Sequence, residues 1–82
     1  MTFKIDDTAE LGRMARQVRI RMGLTQPDLA MTAGVGLRFI VELEKGKQTA
    51  QVGKVLQVLR TLGIRLELTP PPGLEEDDDT KA

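Results

Sequence analysis

No cysteine, no histidine and no serine occur in this chain of 82 residues. Without cysteine there is no disulfide and no thiolate metal site. With histidine missing as well, most transition-metal sites are excluded, and the usual pairing of an activated nucleophile with its base cannot be built. No catalytic residue, metal-ligand set or cofactor is expected. Long apolar runs are lacking too. None approaches the roughly 18 residues of a membrane span, and no signal-peptide pattern opens the chain. These absences describe a soluble, cytoplasmic protein that is not an enzyme and has no membrane partner.

The size fits one small domain. A core this small is marginal alone, and oligomerisation is a natural source of further burial. Net charge is zero, but it is segregated. Residues 1–65 carry 11 Lys/Arg against 6 Asp/Glu, whereas residues 66–82 carry 1 Lys against 6 acids. A basic body with an acidic end fits nucleic-acid binding better than the overall balance suggests, although a solvated surface with a solubilising tail gives the same count.

The stretch LTQPDLAMTAGVGLRFIVELEKG, residues 24–46, organises the rest. Thr25 can cap a helix, with Asp28 at the capping-box position three residues on. Pro27 fits the first turn, where a missing N–H costs little. Gly34 sits where a sharp turn needs positive φ, and Val35 plugs the corner. Counting Gln26 as the first position, Leu29, Ala30, Gly34, Val35, Ile40 and Leu43 fall at the fourth, fifth, ninth, tenth, fifteenth and eighteenth. That is the spacing of a helix-turn-helix whose second helix reads DNA. An ordinary helical hairpin with a glycine turn matches fewer of these positions at once.

Ahead of this motif, Phe3 and Ile5 alternate weakly, as a short strand or arm. Asp7 can cap a first helix from about Thr8 to Met22, with an apolar stripe of Leu11, Met14, Ala15, Val18 and Met22. Arg13, Arg16, Arg19 and Arg21 are then left over the remaining surface, and Gly23 ends the helix.

Within the motif, Thr25 and Gln26 stand where the second helix abuts the DNA backbone, since orphan N–H groups and the helix dipole favour an anion there. The third helix, from about Gly36 to Glu44, enters the major groove N-terminus first. Ile40 and Leu43 face the core. On the other side Arg38 can donate two hydrogen bonds to guanine, and Leu37 can touch a thymine methyl. Glu42 can accept from cytosine or orient Arg38, four residues back. Gly36 replaces a better N-cap at a small cost and lets the backbone approach phosphate. Lys45 and Lys47 lie beside the groove, as phosphate contacts or solvated charges. Phe39 fits packing against a neighbouring helix or partner better than base reading.

Thr49 is expected to cap a fourth helix from about Ala50 to Leu62. Its stripe of Val52, Val55, Leu56, Leu59 and Leu62 closes the core, and Gly63 terminates it. Ile64, Arg65, Leu66, Glu67, Leu68 and Thr69 then alternate as a half-buried strand. A strand cannot satisfy its own backbone groups. Phe3–Ile5 is one candidate partner, and a second copy of the chain is the better one. Antiparallel pairing about Leu66 would set Arg65 opposite the partner's Glu67, a favourable cross-strand pair. The expected architecture is therefore mostly α: a four- to five-helix, Cro/repressor-like helix-turn-helix domain with a short C-terminal β-strand pairing across a dimer. Residues 1–69 form the DNA-binding and dimerisation domain. Residues 70–82, three prolines and a glycine followed by an acidic run, read as a disordered tail.

From about Leu11 to Thr69 the chain resembles the Xre/Cro-type helix-turn-helix family, and within it HipB-type antitoxins. The resemblance is carried by LTQPDLAMTAGV, RFIVELEKGK and KVLQVLRTLGIRLELTP. It implies a homodimer with paired C-terminal strands, binding to palindromic double-stranded operator DNA in its own promoter, and a complex with a HipA-like Ser/Thr kinase toxin. It also implies DNA contacts at Gln26, Leu37, Arg38, Glu42 and Lys47. Two other readings stand beside the antitoxin: a stand-alone dimeric repressor with no toxin, and a protein-interaction module with weakened DNA binding.

Overall fold

The computed structural model describes residues 2–74. Among them are four helices: α1 (Thr8–Arg21), α2 (Gln26–Ala33), α3 (Leu37–Glu44) and α4 (Val52–Thr61). The acidic run at 75–79, expected to be disordered, lies outside the described residues.

Capping sets the helix starts. The Asp7 carboxylate accepts from the Glu10 N–H at 2.8 Å. At α2 the box is complete: the Asp28 N–H donates to Thr25 Oγ1 at 3.1 Å, and the Thr25 N–H donates to the Asp28 carboxylate at 3.0 Å. The helix α4 begins later than its sequence suggests. Gln51 is its N-cap, without a side-chain hydrogen bond, so Thr49 does not cap it. Val52, assigned to the core stripe, stands in the first turn and is 70% exposed.

The core is one cluster in which Leu29, Ile40, Val58 and Leu59 are the largest fully buried side chains. Helix α3 packs against both α1 and α2, and α2 packs against α4. Ala15 is buried in this cluster, and Leu11 and Val18 pack against it. Met22, placed at the end of the same stripe, is instead half exposed just past α1.

Two glycines set how closely α1 and α3 approach. Gly12, on the buried side of α1, faces the end of α3. A Cβ there would meet the carbonyl oxygens of Leu43 and Glu44, the latter at 2.9 Å. Gly46 has φ +86°, and a Cβ on it would lie 2.7 Å from the Ala9 Cα. The Thr8 hydroxyl donates to the Gly46 carbonyl at 2.7 Å and fastens the same junction. Gln57 of α4 similarly donates to the Ala33 carbonyl at 3.1 Å, satisfying one of the orphan acceptors at the end of α2.

Among the described residues no β-strand forms. Residues 64–69 follow α4 without regular structure, and neither they nor the Phe3–Ile5 arm make ladder hydrogen bonds with one another. A ladder needs a second edge, and one chain does not supply it. Ile64 packs against the core, whereas Leu66 and Leu68 are exposed. Arg65 and Glu67, expected to pair between chains, pair here within one chain at 3.1 Å.

Candidate nucleic-acid interface

The turn between α2 and α3 aims the site. Gly34 adopts φ +76° in the left-handed region, and both its N–H and that of Val35 donate to the Ala30 carbonyl at 3.0 Å. This closes α2 and sends the chain directly into α3. Gly36 is the N-cap of α3 with no side-chain bond, and its carbonyl accepts from Phe39 N–H at 3.1 Å. The start of α3 therefore presents backbone N–H groups and no bulky cap.

Ile40 and Leu43 fix one side of α3 in the core, so residues 37, 38, 41 and 42 fall elsewhere on the helix. Leu37 is 46% exposed. The side chain of Arg38 is 90% exposed, which leaves its donor fork free for a bidentate acceptor. Glu42 is engaged from two directions. Lys47 Nζ lies 3.0 Å from its Oε1, and Arg38 Nε lies 3.7 Å from its Oε2. Phe39 packs against the core, and the Lys54 ammonium sits 6.0 Å from its ring centroid. Phe39 packs as its bulk suggests, whereas the Lys54 ammonium over its ring is not legible from spacing alone.

The polar residues ascribed to phosphate contact are placed differently from one another. Thr25 is exposed, and its hydroxyl oxygen accepts from the Asp28 N–H. Lys45 is exposed just past α3. Lys47 is half exposed and shares its ammonium with Glu42. Gln26 turns inward: its amide donates to Glu44 Oε1 at 3.0 Å, committing one of its donors to the core side.

That Glu44 carboxylate belongs to the main feature sequence reasoning missed. Arg19, expected on the surface, is buried. It donates to Glu44 through Nε at 2.6 Å and Nη2 at 3.0 Å, and to the Leu24 carbonyl through Nη1 at 2.8 Å. The hydrogen bond with Glu44 raises the Arg19 pKa above its ordinary value and outweighs the opposing effect of burial. The network joins α1, the entry to α2 and the end of α3, the three pieces that fix the orientation of the exposed α3 face. A signal existed. Arg19 lies one turn after Ala15, and Glu44 lies one turn after Ile40 and next to Leu43, so both fall beside apolar stripes.

A capped helix, a left-handed glycine turn and a second helix held by its apolar side with an unobstructed arginine opposite define a DNA-binding helix-turn-helix domain. The sequence comparisons agree. The helix-turn-helix family HTH_3 matches residues 16–68. A relative from Sinorhizobium fredii, described as an uncharacterized HTH-type transcriptional regulator y4mF, is 54% identical over 71 residues, covering 87% of this chain and 93% of that one. The chain belongs to the Xre-type helix-turn-helix family of DNA-binding transcriptional regulators. Among solved structures, the HipB chain of a HipA–HipB–O2–O3 complex superposes with a TM-score of 0.77 at 23% identity, over 84% of this chain and 97% of that one. A HipB–O4 20mer complex gives 0.76 at the same identity and coverage. At that identity the likeness is one of fold.

Proposed function

We propose that the protein is a dimeric autorepressor and antitoxin, which binds palindromic operator DNA through α3 and restrains a HipA-like kinase toxin. The observation that carries the DNA part is the exposed Arg38 on a helix locked to the core by its opposite side. In this reading Arg38 and Leu37 contact base edges. Thr25, Gln26, Gly36, Lys45 and Lys47 contact phosphate, with Gln26 using its backbone N–H or its second amide hydrogen.

The dimer part rests on the C-terminal segment. Leu66 and Leu68 are 56% and 87% exposed, on a segment whose alternation suits a strand. An open groove of about 940 Å³ runs between the arm at Phe3–Ile5, the Met14 and Val18 side of α1 and this segment. A second copy pairing through residues 64–68 would cover these apolar side chains, satisfy the facing edge of each strand and set two α3 helices roughly 34 Å apart, one turn of DNA. Residues 1–69 then make up the working domain, with 70–82 appended. The toxin part is supported by the likeness of fold to HipB, which is seen in complex with HipA and operator DNA.

The test is a pull-down of the tagged full-length protein from its host, paired with binding to DNA from its own promoter. A stoichiometric kinase encoded beside it, together with a salt-sensitive promoter complex, is the expected result. Promoter binding without a protein partner would reduce the function to that of a stand-alone repressor. A protein partner without salt-dependent DNA binding would make it an interaction module.

A further inference from the structure

Glu42 stands on the exposed side of α3, one turn beyond Arg38, where a carboxylate could accept a hydrogen bond from cytosine. The geometry points to a different role. We propose that Glu42 touches no base and is a positioning residue for Arg38, selecting the orientation in which the guanidinium meets guanine. The proposal rests on the reading of Arg38 as a base contact.

Three observations carry it. First, Glu42 is held back. Its side chain is only 35% exposed, against 90% for Arg38. Its Oε1 accepts from Lys47 Nζ at 3.0 Å, and its backbone carbonyl accepts from the Lys47 N–H at 3.0 Å. The residue is thus tied twice to the segment just past the helix end, and reaching toward a base would break the Lys47 contact. Second, the other oxygen faces Arg38, 3.7 Å from Nε. Engaging a guanidinium on its Nε edge leaves the terminal NH₂ groups free, and these are the donors that can address guanine O6 and N7 together. Third, the charges sum favourably. A lone carboxylate facing a phosphate-lined groove would be repelled, whereas Arg38, Glu42 and Lys47 together carry a net single positive charge.

The Arg38 contact is weak in water. It is long and exposed, and its order, with the cation N-terminal to the acid, is the less favourable one on a helix. Its effect belongs to the complex. When DNA displaces the water around α3, the effective dielectric falls and the pair tightens, so orientation matters most when the base is being read. Lys47→Ala is expected to keep the Arg38 contact, because that contact uses the other carboxylate oxygen, Oε2.

The test is selection of binding sites from randomised duplexes by the full-length protein, the variants Arg38→Ala and Glu42→Gln, and the double variant. Thermal melts confirm that each is folded. Loss of one base preference in Arg38→Ala identifies the base pair it reads. Glu42→Gln is expected to lower that same preference by about 1.5- to 5-fold, the range one exposed ion pair supplies. It should leave other positions unchanged and bind unrelated DNA no more weakly than the parent. In the double variant Glu42→Gln should add nothing to the loss. If Glu42→Gln changes a different base pair, or adds fully to Arg38→Ala, Glu42 is itself a reader and the proposal fails while Arg38 stands. If Arg38→Ala changes no preference, the reading of Arg38 and this proposal fall together.

Discussion

Arg19 and Glu44 meet through two parallel contacts, Nε to Oε2 at 2.6 Å and Nη2 to Oε1 at 3.0 Å, with side chains only 10% and 3% exposed. A buried ion pair is poor evidence of net stabilisation, because two charges lose their water to form it. Its consequence here is geometric. Glu44 also accepts from Gln26, and Arg19 also donates to Leu24, so one network fixes the entry to α2 and the end of α3 against α1.

Cutting one side of that pair is therefore expected to be severe. Arg19→Met leaves a buried carboxylate with only Gln26 as partner, and Glu44→Leu leaves a buried guanidinium. Each should cost about 3–5 kcal/mol. For a domain of this size that lowers the melting temperature by roughly 10 °C or more. The double variant Arg19→Met/Glu44→Leu should recover much of the loss, since neither charge is then stranded. Thermal and urea unfolding of the four proteins gives the coupling directly. Additive losses would show that the two residues act independently.

The parts of the fold that sequence made legible are those governed by local rules. The Thr25–Asp28 box, the left-handed Gly34 and the buried Leu29, Ile40, Leu43 and Leu59 follow from capping, φ preference and helical periodicity, all of which act within a few residues. What stayed hidden depends on contacts between segments far apart in the chain. Arg19 looked like one of four arginines on an amphipathic helix because its partner lies 25 residues away on α3. Gly12 carries no local signal, because the backbone it approaches belongs to that same helix. Thr49 is a good cap by composition, but α4 starts after Gln51. In the candidate interface, spacing placed Arg38 and Leu37 outward, yet it could not show that Gln26 turns toward Glu44 or that Lys47 holds Glu42.

The two kinds of helical glycine in this chain separate cleanly by experiment. Gly12→Ala would drive a methyl group into the Leu43 and Glu44 carbonyls, and backbone cannot retreat as a side-chain tip can. A loss of about 1–3 kcal/mol is expected, as for an overpacked core. Gly53, near the start of α4, has open space where its Cβ would be. Gly53→Ala should raise stability by about 0.4–1 kcal/mol through the entropy of the unfolded chain. Urea midpoints of both variants against the parent test this. Equal effects of one sign would contradict the close approach of α1 and α3.

Acid weakens the start of α2 in a predictable direction. Hydrogen bonds from the Thr25 backbone N–H and then its side chain hold the Asp28 carboxyl below the ordinary carboxylate range. A depressed folded-state pKa means that the ionised form stabilises the fold above the unfolded value of about 3.9, and that this contribution fades as pH falls through the folded value. Asp28→Asn does not titrate. The stability gap between the parent and Asp28→Asn, read from urea midpoints, should therefore be larger at neutral pH than near pH 3. A gap that stays constant between the two would mean that the box owes nothing to the charge.

Base reading and phosphate binding should separate by their response to sequence and salt. Arg38 is free to make a bidentate contact, and losing it should cost about 1–3 kcal/mol on the preferred operator and much less on unrelated DNA. Lys47 supplies charge beside the groove, so Lys47→Ala should weaken every sequence to a similar degree. It should also reduce the slope of log affinity against log salt by about one. Fluorescence titrations of both variants on operator and scrambled duplexes, across a series of salt concentrations, measure both quantities. If the two substitutions weakened all duplexes alike, Arg38 would be one more phosphate contact, and the specificity of α3 would have to come from Leu37 and from the shape of the DNA.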